Sequence, residues 1–253
     1  MKLGYRWLNL LAYIAVVGTN GAAISLPLFG RSTKEISDSY PVAVTPAGYA
    51  FSIWSLIYIL LAGFVILQFI PKERNRSEFS RIGPWFVISS AFNVTWLLLW
   101  HSLHITTTAF IMIAMLISLI IIYQESRVAG PGSNMGARLF IALPFSIYLG
   151  WISMATIVNV SVALYSVGWD GWGLSPQAWG IVLLIAAGLL AVSIGINYRD
   201  PFYALVIIWA AIAIALKQFE SYPQLGYAAL GIAFILAGFI LIKGFQFRNG
   251  WVY

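Results

Sequence analysis

Three stretches set aromatic and amide side chains at spacings that share one helix face. In TPAGYAFSIWSLIY (residues 45–58), Phe51, Trp54 and Tyr58 fall at i, i+3 and i+7. In IGPWFVISSAFNVTWLLLW (82–100), Asn93, Trp96 and Trp100 repeat that interval. In LPFSIYLGWISMATIVN (143–159), Trp151, Ala155 and Asn159 fall at i, i+4 and i+8. Rings stacked along a helix offer a flat apolar wall, and an amide among them supplies a directed hydrogen bond. A mostly apolar pocket with a few placed polar groups is the usual form of a small-molecule site. The chemistry these residues suggest is therefore recognition of a planar, hydrophobic molecule. Each also has a plainer reading. An interhelical hydrogen bond worth about 1 kcal/mol accounts for Asn93, and tight helix packing accounts for the small residues Gly150 and Ala155 equally well.

Other chemistries find less support. His101 and His104 form an HxxH pair with no carboxylate close in sequence, which reads as a wet helix end rather than a metal site. Cysteine is absent, which removes disulfides, thiol nucleophiles and thiolate ligands. No Asp or Glu falls inside an apolar segment, and Lys217 and Lys243 stand at segment ends. That argues against a retinal pigment and against ion-coupled transport, which normally places ionisable groups within the membrane. No nucleophile–base pair stands out, so no catalytic residue and no required cofactor is assigned.

The elements that must position these faces are transmembrane helices. Of 253 residues 61% are hydrophobic and only 9% charged, with mean hydropathy +0.88; soluble domains carry about 25% charged residues. Apolar segments of about 20 residues, enough to cross a bilayer, occur near 5–28, 48–70, 83–101, 105–124, 138–164, 177–197, 201–217 and 223–244. The fold class is all-α, a polytopic bundle of about eight helices. The N-terminal MKLGYRWLNLLAYIAVV reads as the first span rather than a signal peptide, because no cleavage site follows it.

Alternating the loops puts Lys2, Arg6, Lys72, Arg74, Arg76, Arg81, Arg127, Arg138, Arg199, Lys243 and Arg248 on one side. Only Arg31, Lys34 and Lys217 remain for the other, out of 14 Lys and Arg in all. By the positive-inside rule both termini are cytoplasmic, as expected of a multi-pass cell-membrane protein. The charge of +6 is then loop bias rather than a nucleic-acid footprint. The expected partners are the lipid bilayer and a hydrophobic small molecule, with a homodimer left open. Two outer loops are long. Residues 29–47 could fold over the helix ends as a lid, and 165–176 carries Trp169 and Trp172 at the depth of an interfacial belt. This topology places Asn20, Trp54, Trp96, Trp100, Ala155 and Asn159 in the outer half, with Asn93 and Trp151 near the middle. No internal repeat is evident, which argues against an inverted-repeat transporter.

Pro46, Phe51, Trp54 and Tyr58, then Phe92-Asn93 followed by Trp96, then Tyr148-Leu149, Trp151, Ala155-Thr156 and Asn159 resemble the signatures of the tryptophan-rich sensory protein/translocator protein (TspO/MBR) family. They occur in the family's order over residues 1 to about 165. The resemblance implies a five-helix core that binds a tetrapyrrole such as protoporphyrin IX. Trp54 and Trp151 stand where the family's porphyrin-binding tryptophans stand, and Asn93 and Ala155 would line the pocket. This chain lacks the family's second proline and its tryptophan before the second helix, having Val42-Ala43-Val44-Thr45 there. Tyr165 is not followed by a basic residue, so the proposed sterol motif is missing. Residues 166–253 form a three-helix extension beyond these motifs, expected to pack on the core without lining the pocket. Two functions stand: a binding or sensory protein for a planar hydrophobic ligand, or a transporter or channel for a neutral one.

Overall fold

The computed structural model describes residues 3–26, 28–127 and 135–246. Lys2 and Arg248, used in the charge count, lie outside the described residues. The elements are α1 (Leu3–Ser25), α2 (Thr33–Asp38), α3 (Ile53–Leu67), α4 (Ser77–His101), α5 (Ile105–Ser126), α6 (Met135–Ala137), α7 (Leu143–Ser166), α8 (Pro176–Asn197), α9 (Pro201–Gln218) and α10 (Pro223–Gln246). A 3₁₀ turn (Gly48–Ser52) leads into α3, and a wide π-type stretch (Arg138–Ala142) joins α6 to α7. Eight of these helices are long and apolar enough to cross a membrane, at the positions the sequence predicts. Among the described residues there is no strand.

Helix ends follow local chemistry. Proline opens α8, α9 and α10, where its missing N–H costs nothing. The Ser175 hydroxyl accepts from the Ala178 N–H, and the Asp200 carboxylate accepts from the Phe202 N–H, capping α8 and α9. Pro144 cannot donate to the turn before it, and the backbone widens there into the π stretch. The α4 helix begins six residues earlier than its apolar segment. Its first turns carry Glu78 and Arg81, and Arg81 pairs with Glu125 of α5 at 2.8 Å.

Five helices close into a ring in the order α1, α3, α7, α5, α4 and back to α1. The remaining three, α8, α9 and α10, pack on one another, and α9 seats against α7. That seat is close. A Cβ on Gly150 would lie 3.0 Å from the Val206 side chain and 3.3 Å from the Tyr203 carbonyl oxygen. Gly150 is therefore a packing residue, as the plainer reading held. Small residues recur around α9, with Ala204, Ala210, Ala211 and Ala213 all buried.

At the end opposite the lid the bundle is filled. Phe64 meets Phe79, Phe86 and Phe145 with ring centroids 4.9–5.7 Å apart, and all four are buried. Asn9 donates to Gln68 at 2.9 Å, joining α1 to the end of α3. Asp200, fully buried, accepts from Tyr123 (2.8 Å), from Ser146 (2.6 Å) and from Arg127. It lies just outside the apolar segments, beside Arg199, where a solvated loop residue is expected from sequence. The fold instead buries it between α5, α7 and α9.

Candidate functional site

The ring of core helices encloses a cavity at the end bearing residues 28–47. The Pro46–Tyr58 segment brings the first wall. Ala47 is extended and its N–H donates to the Ala213 carbonyl of α9 at 3.0 Å, so the chain turns sharply into the 3₁₀ turn. Phe51 sits in that turn and Trp54 in the first turn of α3. Both reach Trp151 of α7, edge to face, at 5.9 and 6.3 Å between centroids. Trp96 and Trp100 of α4 stack on each other at 5.5 Å. From the α7 tryptophan toward the mouth, one face of that helix presents Met154, Ala155, Val158 and Asn159.

Six of the eight predicted site residues line this cavity: Phe51, Trp54, Trp96, Trp151, Ala155 and Asn159. Tyr58 and Asn93 do not. Tyr58 stacks on Trp54 at 5.5 Å from behind, which braces the wall rather than forming it. Asn93 has both ends of its amide engaged, accepting from Asn20 at 3.0 Å and donating to the Tyr148 hydroxyl at 3.0 Å. The Tyr148 hydroxyl in turn donates to the Met115 sulfur. This chain ties α1, α4, α7 and α5 together, so for Asn93 the interhelical hydrogen bond is the correct reading. Replacing Asn93 by alanine is expected to cost about 1 kcal/mol of stability and to leave ligand affinity unchanged. Thermal denaturation and ligand titration on the same variant check both halves.

Five lining residues come from outside the sequence motifs. Thr33 and Ser37 of α2 cover the mouth, Met112 comes from α5, and Ala210 and Ile214 come from α9. The last pair corrects the expectation that the extension stays clear of the pocket. No periodic signal marks Ala210 or Ile214, because a wall position asks only for a small or apolar side chain. The extension is also stitched to the mouth. Trp209 donates to the Ala50 carbonyl at 3.2 Å, and Gln218 donates to the Thr45 carbonyl at 3.2 Å.

The lid is a short capped helix of six residues. Ser32 and Glu35 form a reciprocal capping box at 3.2 and 2.7 Å, a stable start for so short a helix. It is pinned to α4 twice. Trp100 donates to the Thr33 carbonyl at 3.4 Å, and the Thr33 hydroxyl lies 3.4 Å from His101 Nε2. His101 Nδ1 faces the Leu97 carbonyl at 2.9 Å, an atom that only accepts, so Nδ1 carries the proton. His101 is buried, not wet, and His104 turns away to Ser102, so the HxxH pair does not converge.

Asp38, at the end of α2, pairs with both Lys34 (2.7 Å) and Lys217 of α9. Burial pushes the Asp38 carboxyl upward, but the hydrogen bonds and charges of Lys217 and Lys34 outweigh it and hold it below the usual value. The folded value being lowered, the pairing is fully present above the ordinary carboxylate range and is lost as pH falls through the lowered value. Asp38→Asn is expected to loosen the lid by about 0.2–1 kcal/mol, the range of partly exposed ion pairs. Hydrogen exchange over residues 33–38 should quicken accordingly, and unchanged exchange would mean that Trp100 and His101 alone hold it.

Four polar groups on residues that line the cavity are uncommitted. The indole N–H groups of Trp96 and Trp151, the Ser37 hydroxyl and the Asn159 carbonyl oxygen are buried without a hydrogen-bond partner. Asn159 spends only its N–H, on Thr108 at 3.1 Å. The enclosed space is about 50 Å³, room for a few waters.

Fold and cavity together define a polytopic helical membrane protein with an aromatic chamber closed by a loop helix. A model of the family described as TSPO-like protein matches residues 6–242, and the chain belongs to that TspO/MBR-like family. The match runs on through α8, α9 and most of α10, which the sequence motifs left out. No curated protein and no solved structure matches the chain.

Proposed function

We propose that this protein is a membrane receptor or sensor for a planar hydrophobic ligand of the tetrapyrrole class, held in the chamber between α3, α4, α7 and the lid. One observation carries the reading. The residues around an apolar chamber walled by Phe51, Trp54, Trp96, Trp100 and Trp151 carry two buried indole N–H donors, on Trp96 and Trp151, and an amide oxygen, on Asn159, without partners. A buried polar group left unpaired costs about 1–3 kcal/mol, and a ligand that offers acceptors to the indoles and a donor to Asn159 recovers it. Stacking on the rings supplies the rest.

The fit requires opening. Fifty cubic ångströms does not admit a macrocycle, so binding selects a state in which α2 has swung off the mouth. The lid's few polar ties make that a modest cost. The filled opposite end, with its phenylalanine cluster and buried Asp200, supports a chamber closed at one end over a conduit. The basic loops lie at that end, so we place it, with both chain ends, in the cytoplasm. Reporter fusions in the 29–47 loop and at the two termini test the orientation.

Titration of the purified protein with protoporphyrin IX, followed by tryptophan fluorescence and the Soret band, tests the function. A saturable one-to-one transition is expected. Linear, non-saturating uptake would reduce the chamber to a packing defect.

A further inference from the structure

A second space is larger than this chamber. A groove of about 390 Å³ lies on roughly the opposite face of α7, bounded by residues 41–44, the 165–176 segment and the start of α8. Its floor is apolar and buried, with Val42 and Val44, and its rim is exposed at Tyr165 and Asp170. Trp169 and Trp179 stand beside that rim with ring centroids 5.3 Å apart. Much of this lining follows residue 165, so the five core helices alone cannot form the groove.

The rim is built rather than slack. Trp179 Nε1 donates to the Gly171 carbonyl at 2.8 Å, and Asp170 Oδ1 accepts from the Trp172 N–H at 2.9 Å. Trp172 is held at φ 52, a left-handed conformation that a bulky residue adopts only when its surroundings impose it. Asp170 makes no ion pair among the described residues. One anionic group therefore stands beside two indoles and a phenol at the mouth of an apolar trough.

That combination has a specific complement. Indole faces attract organic cations, most of all quaternary ammonium groups, and the carboxylate adds charge of the right sign. The trough below asks for hydrocarbon. An anionic ligand would meet Asp170 unfavourably, and a plain hydrocarbon would make no use of it. We propose that the groove binds a lipophilic ammonium amphiphile, its head against Asp170, Trp169 and Trp179 and its chain along Val42, Val44 and α7.

The test uses the full chain in nanodiscs of phosphatidylglycerol, whose headgroup has no ammonium, at high salt to suppress surface adsorption. Tryptophan fluorescence is followed on adding dodecyltrimethylammonium or, as the uncharged match, 1-dodecanol. The cation should bind saturably and more tightly than the alcohol. Asp170→Asn keeps an acceptor for the Trp172 N–H but removes the charge, and should weaken the cation about tenfold while leaving the alcohol unchanged. An unaltered thermal midpoint, read on the same sample, shows that the rim is intact in the variant. Equal binding of cation and alcohol, or a cation affinity indifferent to Asp170→Asn, overturns the proposal. Competition by added phosphatidylethanolamine assigns the ammonium to a lipid headgroup, and its absence assigns it to a free amphiphile. The groove and the chamber lie on different faces of α7, so porphyrin titration is expected to be unaffected by Asp170→Asn.

Discussion

Replacing Asp200 by alanine is expected to lower stability by about 3–5 kcal/mol, the range for breaking a buried ion pair by removing one partner. The variant would leave the Arg127 guanidinium, itself largely buried, without this counter-charge. The Tyr123 and Ser146 hydroxyls and the Phe202 N–H would each lose an acceptor as well. These donors sit on α5, on α7 and at the start of α9, so the loss falls on the joint between core and extension. Asp200→Asn, which keeps an acceptor, should cost less than Asp200→Ala. Replacing the pair together, Arg127→Met with Asp200→Leu, should also cost less than Asp200→Ala, because no buried charge is stranded. Thermal unfolding in a fixed detergent reads all three. A loss under about 1 kcal/mol for Asp200→Ala would mean that water reaches the site and the joint is held by apolar packing alone.

The second large effect falls in the chamber. Trp151→Ala is expected to weaken protoporphyrin IX by about 1–3 kcal/mol, since it removes both a stacking ring and one of the free indole donors. Trp54→Phe keeps a ring against Trp151 and should cost less than Trp54→Ala. Ala155→Leu separates a binding chamber from a packing seam. Ala155 lines the chamber and is only partly buried, so the added carbons project into open space and should abolish binding with little change in stability. If Ala155 were a tight helix contact, overpacking would instead destabilise by about 1–3 kcal/mol. A large fall in thermal midpoint for Ala155→Leu would leave the binding hypothesis without a site.

Gly150 and Ala155 show how far the sequence could separate these cases. Both are small residues on α7, and both admit a helix-packing reading. The structure sets the Val206 side chain of α9 against one and the chamber against the other. Asn93 and Asn159 are a similar pair, each an amide on an aromatic helix face. Asn93 finds partners at sequence separations of 73 and 55, which use both ends of its amide. Asn159, which lines the chamber, finds one for its N–H alone and leaves its carbonyl oxygen unpaired.

The sequence by itself determined the membrane class, the eight spans and the aromatic faces, because these rest on local quantities. Apolar run length is matched to bilayer thickness, proline opens helices, and a 3.6-residue period aligns Trp54, Trp96 and Trp151 with their neighbours. Only the tertiary structure decided which faces meet. The seat of α9 on α7 brings Ala210 and Ile214 into the chamber wall, and the fold of α2 closes its mouth with Thr33 and Ser37. It also turned Asp200 from an apparent loop charge into the centre of a buried cluster. None of these leaves a periodic trace. Each depends on a pairing between residues far apart in the chain, and the residue types such a pairing needs (a small side chain, a hydroxyl, one carboxylate) are the ones that many other positions also carry.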